Sequence, residues 1–543
     1  MEIFPYQINA NFKQRVAYFS MEYAIDQSLK IYSGGLGFLA GSHLRSAFSL
    51  KQNFIAIGIL WTFGYYDQIL GYDGKTVTHY IPKYYNFLTD TGILIDVNIH
   101  HHTVFVKVYK LEPEIFGTAP LYLLTTDFSL NDYLSRTICH KLYDPEISTR
   151  IAQYIILGDG GAKLVKILGG ADFYHLNESH ALPCMFRLLL DHETPDVWQQ
   201  KVVFTTHTPE MAGNEVKPMD LLEKMGFFLG IQRTTIDRFR GESHDYFNFT
   251  AFAIKNCRKT NAVSKMHAQV SQNMWQNVPN ANKIFPITNA QNKNYWMDEV
   301  IHQAWIEKDF QIFSARKKLL KKNLFKTVSD QCGKIFNPDT FTIVWARRFA
   351  GYKRATLLLK SEERLRKLLN NSKYPVQFIW AGKPYPKDEA GINEFNRIIE
   401  FCHTCKNAAI LTGYELSLSA TLKKGADAWL NTPRIFREAS GTSGMTAAMN
   451  GTVNISIKDG WMNEFANDKI NCFIIPTTPT ENLEELDNID SENLFQLLEN
   501  VVVPFFYENK ESWFQLALQA ITDVLKYFDS DRMATEYYEK AYN

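Results

Sequence analysis

The sequence has no hydrophobic run long enough to cross a membrane. The longest nearly apolar stretch, Phe54–Tyr66, is thirteen residues and is interrupted by Gly58, Thr62 and Gly64. A spanning helix needs about twenty, so the stretch reads as a buried strand and its turn. The N-terminal residues, MEIFPYQINANFKQRV, lack both an apolar h-region and a small-residue cleavage site. Cysteine is scarce, seven among 543 residues, and the odd, scattered set provides no disulfide framework. Cys402-His403-Thr404-Cys405 is a lone CxxC with no second half, and reads as helix-end or core thiols rather than a zinc or redox centre. The expectation is a reduced, cytoplasmic protein without membrane attachment. Net charge is lacking too: 58 Lys plus Arg balance 58 Asp plus Glu. That removes the whole-molecule basic field of a dedicated nucleic-acid binder, while leaving room for a local basic cleft.

Internal repeats, low-complexity tracts and Pro/Gly-rich linkers are also missing, so the domains of this chain are expected to be closely coupled. Its length exceeds the roughly 250–300 residues at which a single core stops growing, which predicts two large domains. The chain is 45% hydrophobic and 21% charged, within the range of ordinary globular proteins. Short β-branched and aromatic runs alternate with longer helical stretches, the pattern of an α/β protein with parallel sheets. In the first half, residues 16–19, 54–61, 103–109, 121–125, 173–177 and 201–206 read as strands, and 148–168 and 180–192 as helices. A second series follows: strands at 342–346, 376–381, 408–412, 428–431 and 453–457, with helices at 355–369, 391–403 and 443–450. The expected domains are 1–328, a Rossmann-like N-terminal domain, and 329–493, a Rossmann-like C-terminal one. A helical, aromatic tail at 494–543 is placed to pack back on the first domain. Two doubly wound domains facing each other put strand C-termini on both walls of a central cleft.

Several loops follow those strands. Ser33-Gly34-Gly35-Leu36-Gly37 precedes a helical run. It reads either as a turn or as a loop whose glycines and helix N-terminus admit an anion. His207-Thr208-Pro209 follows a strand, where the His can contact a polyol or serve its own loop. Phe173 to His180 clusters two His, an Asn and a Glu without metal-ligand spacing, and reads as polar cleft lining. Arg347-Arg348-Phe349-Ala350-Gly351-Tyr352-Lys353-Arg354 is the strongest basic feature, four cations in eight residues at a strand-to-helix turn. Arg offers a planar fork and Lys a point charge, a ready phosphate clamp. In Glu438-Ala439-Ser440-Gly441-Thr442-Ser443-Gly444-Met445 a carboxylate precedes a Ser/Thr/Gly loop that opens a helix.

These stretches carry a specific resemblance. The chain is similar to the α-glucan (glycogen/maltodextrin) phosphorylase family in its short prokaryotic form. The matching segments are VAYFSMEYAI (16–25), YSGGLGFLAG (32–41), HLNESHA (175–181), VVFTTHTP (202–209), WARRFAGYKRATLLL (345–359), FIWAGKPYP (378–386) and EASGTSGMTAAMNGTVNISIKDGW (438–461). The resemblance implies a glycosyltransferase B-type fold and retaining, reversible transfer of glucose from an α-1,4-glucan or maltodextrin to phosphate, giving glucose 1-phosphate. Residue by residue, it places Gly34, Gly35 and Leu36 beside the reacting sugar and phosphate. It puts His207 on the glucose, and Arg348 and Lys353 on the substrate phosphate. Arg347 falls beside the phosphate of a pyridoxal phosphate cofactor, with Thr442 near that cofactor. Glu438, Ser440 and Gly441 are placed on glucose hydroxyls. Family members are often homodimers.

One position departs from the pattern. Where the family reads Gly-Met-Lys, this chain reads Gly444-Met445-Thr446. That Lys forms the Schiff base with pyridoxal phosphate, and Thr446 has no amine to do so. Lys423, Lys424 and Lys458 are nearby in sequence but not at the matching site. The sequence also lacks the extra N-terminal region of many short-form relatives. Three readings follow: phosphorolysis with pyridoxal phosphate or another anion held noncovalently; a cofactor-free retaining glycosyltransferase that uses a nucleotide sugar, as glycogen synthases do; and a noncatalytic glucan-binding relative.

Overall fold

The computed structural model describes residues 3–192 and 194–543; residues 1 and 2 of the N-terminal stretch read above lie outside them. The chain forms two compact units. The first contains the chain up to Tyr66, Tyr80–Asn289 and Ser530–Asn543, and the second contains Asp67–His79 and Ala290–Asp529. This division differs from the boundary expected at 328/329, which falls inside helix Phe310–Cys332 of the second unit. Residues 312–328 read as a Lys-rich helix closing the first domain, with the boundary at the polar segment 329–339 that follows. The helix's buried face, with Phe313, Leu320, Leu324 and Val328, instead makes it part of the second core. The tail also divides: residues up to Asp529 belong to the second unit, and only Ser530–Asn543 to the first.

The first unit is built on a nine-stranded sheet. Strand Val16–Phe19 lies at its centre, between Phe54–Ile59 on one side and Phe173–Asn177 on the other, both parallel to it. The ladder continues in parallel through Val202–Thr206 and Lys259–Ala262 to Phe285–Pro286. The other wing ends in the antiparallel pair Thr89–Ile99 and His102–Leu111. The central strands are buried at every position, as strands covered on both faces must be, which is why they read as continuous apolar runs. The helix expected over 148–168 is interrupted by a π-turn at Ile156–Gly160. There, glycines lie close against the 181–184 backbone and the Phe19 ring. Such turns insert one residue into a helix without ending it.

The second unit has six parallel strands, in the order Ala408–Leu411, Val376–Ala381, Phe341–Ala346, Ala428–Asn431, Val453–Ser456 and Cys472–Ile474. Numbered along the chain this is 3-2-1-4-5-6, the doubly wound dinucleotide-fold order. The strand order reverses between Phe341–Ala346 and Ala428–Asn431. Such a reversal opens a crevice at the strand C-termini, where ligands bind in open α/β sheets. Hairpin Asp67–Leu70/Thr76–His79, contributed from far upstream, docks on helix Glu389–Thr404 and the loop after edge strand Ala408–Leu411: Asn396 Oδ1 accepts from Thr76 N at 3.0 Å, and Gln68 Oε1 from Gly413 N at 3.2 Å. No helix among the described residues is long and apolar enough to cross a membrane.

Candidate functional site

In the second unit, the strand that starts the fold delivers the basic loop. Phe341–Ala346 ends at Arg347, whose main chain is held against Gly382. A Cβ at Gly382 would stand 2.0 Å from the Arg347 carbonyl oxygen, and its φ of +153° also disfavours any side chain. The glycine therefore sets the path of the loop that carries the cations. Tyr352 and Arg354 fix its far end. The Tyr352 carbonyl accepts from Arg434 N at 2.8 Å. Arg354 is buried, donates to the carbonyls of Thr432 and Pro433 at 2.9 Å, and forms ion pairs with Asp487 and Asp490. Arg354 is therefore not a fourth member of the phosphate clamp; it ties the loop to helix Leu483–Leu497.

The remaining cations converge with the second loop. Arg347 Nη2 donates to Glu438 Oε2 at 2.8 Å, and Lys353 Nζ donates to both Glu438 oxygens at 3.2 and 3.1 Å. Burial alone would raise the Glu438 carboxyl, but Arg347 and Lys353 outweigh it and hold the group down to about 2. Glu438 is a fixed anion between two fixed cations. Nε and Nη1 of Arg347 are buried without a partner, so the guanidinium keeps unused donor capacity next to its carboxylate. Arg348, the neighbouring residue, is exposed.

The Glu438 loop is tied down by residues that the sequence did not single out. Asp459 Oδ2 accepts from Arg437 N at 3.0 Å and Glu438 N at 2.9 Å, and its Oδ1 from Gly460 N at 2.8 Å. Burial pushes the Asp459 carboxyl up to about 6 despite these bonds. Trp461 N donates to Ser440 O at 2.9 Å, and the Trp461 ring lies beside Gly441, whose φ is +84°. Ser440 is buried. Asp459 occupies an Asp-Gly turn after strand Val453–Ser456, and its position just beyond a strand C-terminus was the one available signal. Arg347, Asn431, Glu438, Ser440, Gly441 and Asp459 line a small recess of about 10 Å³, room for one water. It adjoins the unpartnered Asn431 Oδ1.

Thr442 begins helix Ser443–Ala448, and Thr446 sits inside it. Thr446 is 0% exposed, and its Oγ1 donates back to Ser443 O at 3.0 Å. This hydroxyl is spent within its own helix turn and supplies no amine. The position does not fit an aldehyde cofactor held covalently.

The remaining expected residues lie in the first unit. Gly34 precedes helix Gly35–Ser49, whose first turn no side chain caps. The carboxylate of Glu22, 3% exposed, accepts from Ser33 N at 2.7 Å, Gly34 N at 3.0 Å and Tyr143 Oη at 2.8 Å. The glycine loop is thus shaped by an internal anion, while Gly35 and Leu36 open the helix beyond it. His207 N donates to Glu178 Oε1 at 2.5 Å, and its Nε2 lies 2.7 Å from Asn177 Oδ1. Asn177 Nδ2 is in turn directed to Ser20 Oγ at 3.2 Å. With that amide orientation Nε2 carries the proton and Nδ1 is left as an acceptor. Burial holds this imidazole neutral, with its pKa lowered to about 3. Glu178, at φ +70°, turns the chain out of its strand so that its carboxylate reaches both His207 N and Thr208 Oγ1.

His175 corrects an expectation. Read as polar lining, it is fully buried, with Nδ1 2.5 Å from Tyr542 Oη and Nε2 2.7 Å from Thr205 Oγ1. It is a core histidine whose partner comes from the end of the chain. Among the described residues no group of three or more His, Cys, Asp or Glu is placed to hold a metal.

No family model matches the chain. Comparison with curated proteins is more informative. The chain is 45% identical to an uncharacterised protein of Methanocaldococcus jannaschii, over 97% of its own length and 99% of that protein's. It is 35% identical to the maltodextrin phosphorylase of Thermococcus litoralis, over 98% of this chain and 71% of that one. The chain belongs to the glycogen/maltodextrin phosphorylase family. The glycogen phosphorylase of Aquifex aeolicus is a more distant relative, 29% identical over 98% of this chain and 86% of its own. Membership agrees with the largely parallel sheet of the first unit and the doubly wound parallel sheet of the second, and the Arg347–Glu438–Lys353 cluster stands at the strand reversal of the second.

Proposed function

We propose that this phosphorylase-family chain transfers a glucosyl unit between the end of an α-1,4-glucan and phosphate. In the degradative direction the glycosidic C1–O4 bond breaks and a C1–O bond to phosphate forms. The phosphate's proton passes to O4 of the shortened glucan. Configuration at C1 is retained. The Arg347–Glu438–Lys353 cluster is the observation that carries this reading. It places fixed cations at the strand reversal, and preorganised charge of this kind stabilises an anion leaving or attacking a cationic anomeric centre.

Arg348 and Lys353 hold the phosphate in this reading, and Arg347 adds the donors it does not spend on Glu438. Glu438, Ser440 and Gly441 bind glucose hydroxyls, with Glu438 ionised throughout the working pH range. His207 offers a neutral Nδ1 acceptor and its main-chain carbonyl to the sugar. Gly34, Gly35 and Leu36 present main chain to the reacting groups. The family resemblance brings pyridoxal phosphate with it, but Thr446 leaves it no covalent anchor and no step here runs through it. Thr446 is also the observation that favours a second reading, a cofactor-independent retaining transferase whose donor is a nucleotide sugar.

Purified protein given maltodextrin and orthophosphate, with and without added pyridoxal phosphate, separates the two. Formation of glucose 1-phosphate supports phosphorolysis. Its absence, together with nucleoside diphosphate release and chain growth from a nucleotide sugar, supports the second reading and overturns the first. A Thr446→Lys variant that binds pyridoxal phosphate as a chromophore reducible by borohydride would support a cofactor slot retained around that position.

A further inference from the structure

The first unit has a cavity on the sheet edge away from His207. It opens where strands Val202–Thr206 and Lys259–Ala262 begin, with a volume of about 680 Å³. Its cations are Lys255, Arg258, Lys259, Lys283 and Lys540, and among the described residues Glu539 is the single acidic side chain on its wall. Lys540 pairs with Glu536. Arg258 is engaged at Asn543, the last residue, and the other three donate to uncharged side chains or to main chain. Lys255 Nζ reaches Arg240 O at 2.7 Å, Lys259 Nζ reaches Lys540 O at 2.7 Å, and Lys283 Nζ reaches Asn280 Oδ1 at 3.0 Å. Arg258 donates to the main-chain oxygen of Asn543, and its guanidinium lies 5.3 Å from the centre of the Phe173 ring. Asn543 occupies Arg258, while Lys255, Lys259 and Lys283 make no ion pair with an acidic side chain among the described residues. Burial, and then Arg258, push the Lys259 ammonium down, as like charges crowded together do.

We infer that this cavity is a second anion site, separate from the cluster at Arg347, and that it takes a phosphorylated small molecule. An Arg fork beside lysines suits the charge and geometry of a phosphate ester. The volume lies within the range of small-ligand pockets. Ile254, Cys257 and Phe285 give the organic part of such a ligand an apolar wall. Nothing in the transfer reaction uses these residues.

The probe is inorganic pyrophosphate, titrated calorimetrically into full-length protein at low salt. An Arg347→Ala/Lys353→Ala background removes the second unit's cluster from the measurement. One binding event is expected to remain there, weakened at least tenfold by Arg258→Gln/Lys259→Gln and weakened further by added salt. Because Arg258 and Lys259 also hold the end of the chain, Lys283→Gln is the second variant. Its exposed Nζ donates to Asn280 Oδ1, three residues away, and a loss of threefold or more is expected with an unchanged unfolding midpoint. No event in that background, or unchanged affinity in both cavity variants, overturns the site. ADP and glucose 1-phosphate as competitors then separate a nucleotide from a sugar phosphate as the source. Competition by neither overturns the assignment to a phosphate ester.

Discussion

Glu438 organises the second unit's loops because Arg347 and Lys353 share its carboxylate. Replacing either Lys353 or Arg348 with Ala is expected to lower turnover by roughly 10²–10³, the usual cost of removing a charged donor from a preorganised site. Steady-state kinetics on both variants check this, and unchanged turnover would remove them from the phosphate site. Two neighbouring carboxyls titrate in opposite senses. Glu438 is depressed to about 2 from an ordinary 4.5, so its contribution is present above about 4.5 and is lost as pH falls toward 2. Asp459 is raised to about 6 from 3.8, so its contribution is full below 3.8 and is lost as pH rises through about 6. Unfolding midpoints measured from pH 7 to pH 2 should therefore show Asp459→Asn removing a loss of stability on the rise from 4 to 6. Glu438→Gln should remove one on the fall below 4.5. The sequence made Arg347, Lys353 and Glu438 legible because they sit in charged loops after apolar strands. Arg354 was misread because its carboxylate partners, Asp487 and Asp490, lie more than a hundred residues away. Asp459 was missed because an Asp-Gly pair looks like any other turn.

Among the elements, helix Gly35–Ser49 depends on close approach. A Cβ at Gly41 would lie 2.0 Å from the Ala24 carbonyl oxygen, which is main chain and cannot swing aside. Gly41→Ala is therefore expected to destabilise the protein by about 1–3 kcal/mol, the range for overpacking. Thermal and denaturant unfolding measure it, and a neutral result would mean that the helix shifts freely. The central strands were readable from their buried runs, whereas Thr89–Ile99, Lys259–Ala262 and Cys472–Ile474 were not expected. The helices at 148–168 and 355–369 were read as continuous, but a π-turn interrupts the first and the second begins as a 3-10 segment, Leu357–Ser361, before helix Glu362–Leu369. Periodicity locates an apolar face and does not register a local change of pitch. Hairpin Asp67–Leu70/Thr76–His79 escaped notice because its strands are short and partly exposed, so neither alternation nor a buried run marks it.

At the scale of the whole molecule, each unit takes in chain from a distance. Helix Ser530–Lys540 and the residues after it bury Met533, Ala534, Tyr537, Tyr538, Ala541 and Tyr542 in the first unit. Tyr542 supplies the partner that His175 needs. Ending the chain at Asp529 is expected to remove several kcal/mol, given roughly 1.5–3 kcal/mol for each large apolar side chain buried. It should also leave His175 unsatisfied. Tyr542→Phe, which keeps the ring and removes the hydroxyl, should lose only about 1–3 kcal/mol by stranding His175 Nδ1. Equal losses in the two variants would contradict the burial account. Local sequence suggested that the tail packs back, but where it changes units is set by long-range contacts that no local pattern records.

The central proposal is that the Arg347–Glu438–Lys353 cluster handles phosphate in a chain of this family that lacks a covalent anchor at Thr446. The most direct measurement is glucose 1-phosphate formed from maltodextrin and orthophosphate by the wild-type protein and by Lys353→Ala. The account predicts product from the wild type and a loss of roughly 10²–10³ in the variant. No product from the wild type, with or without added pyridoxal phosphate, would contradict it.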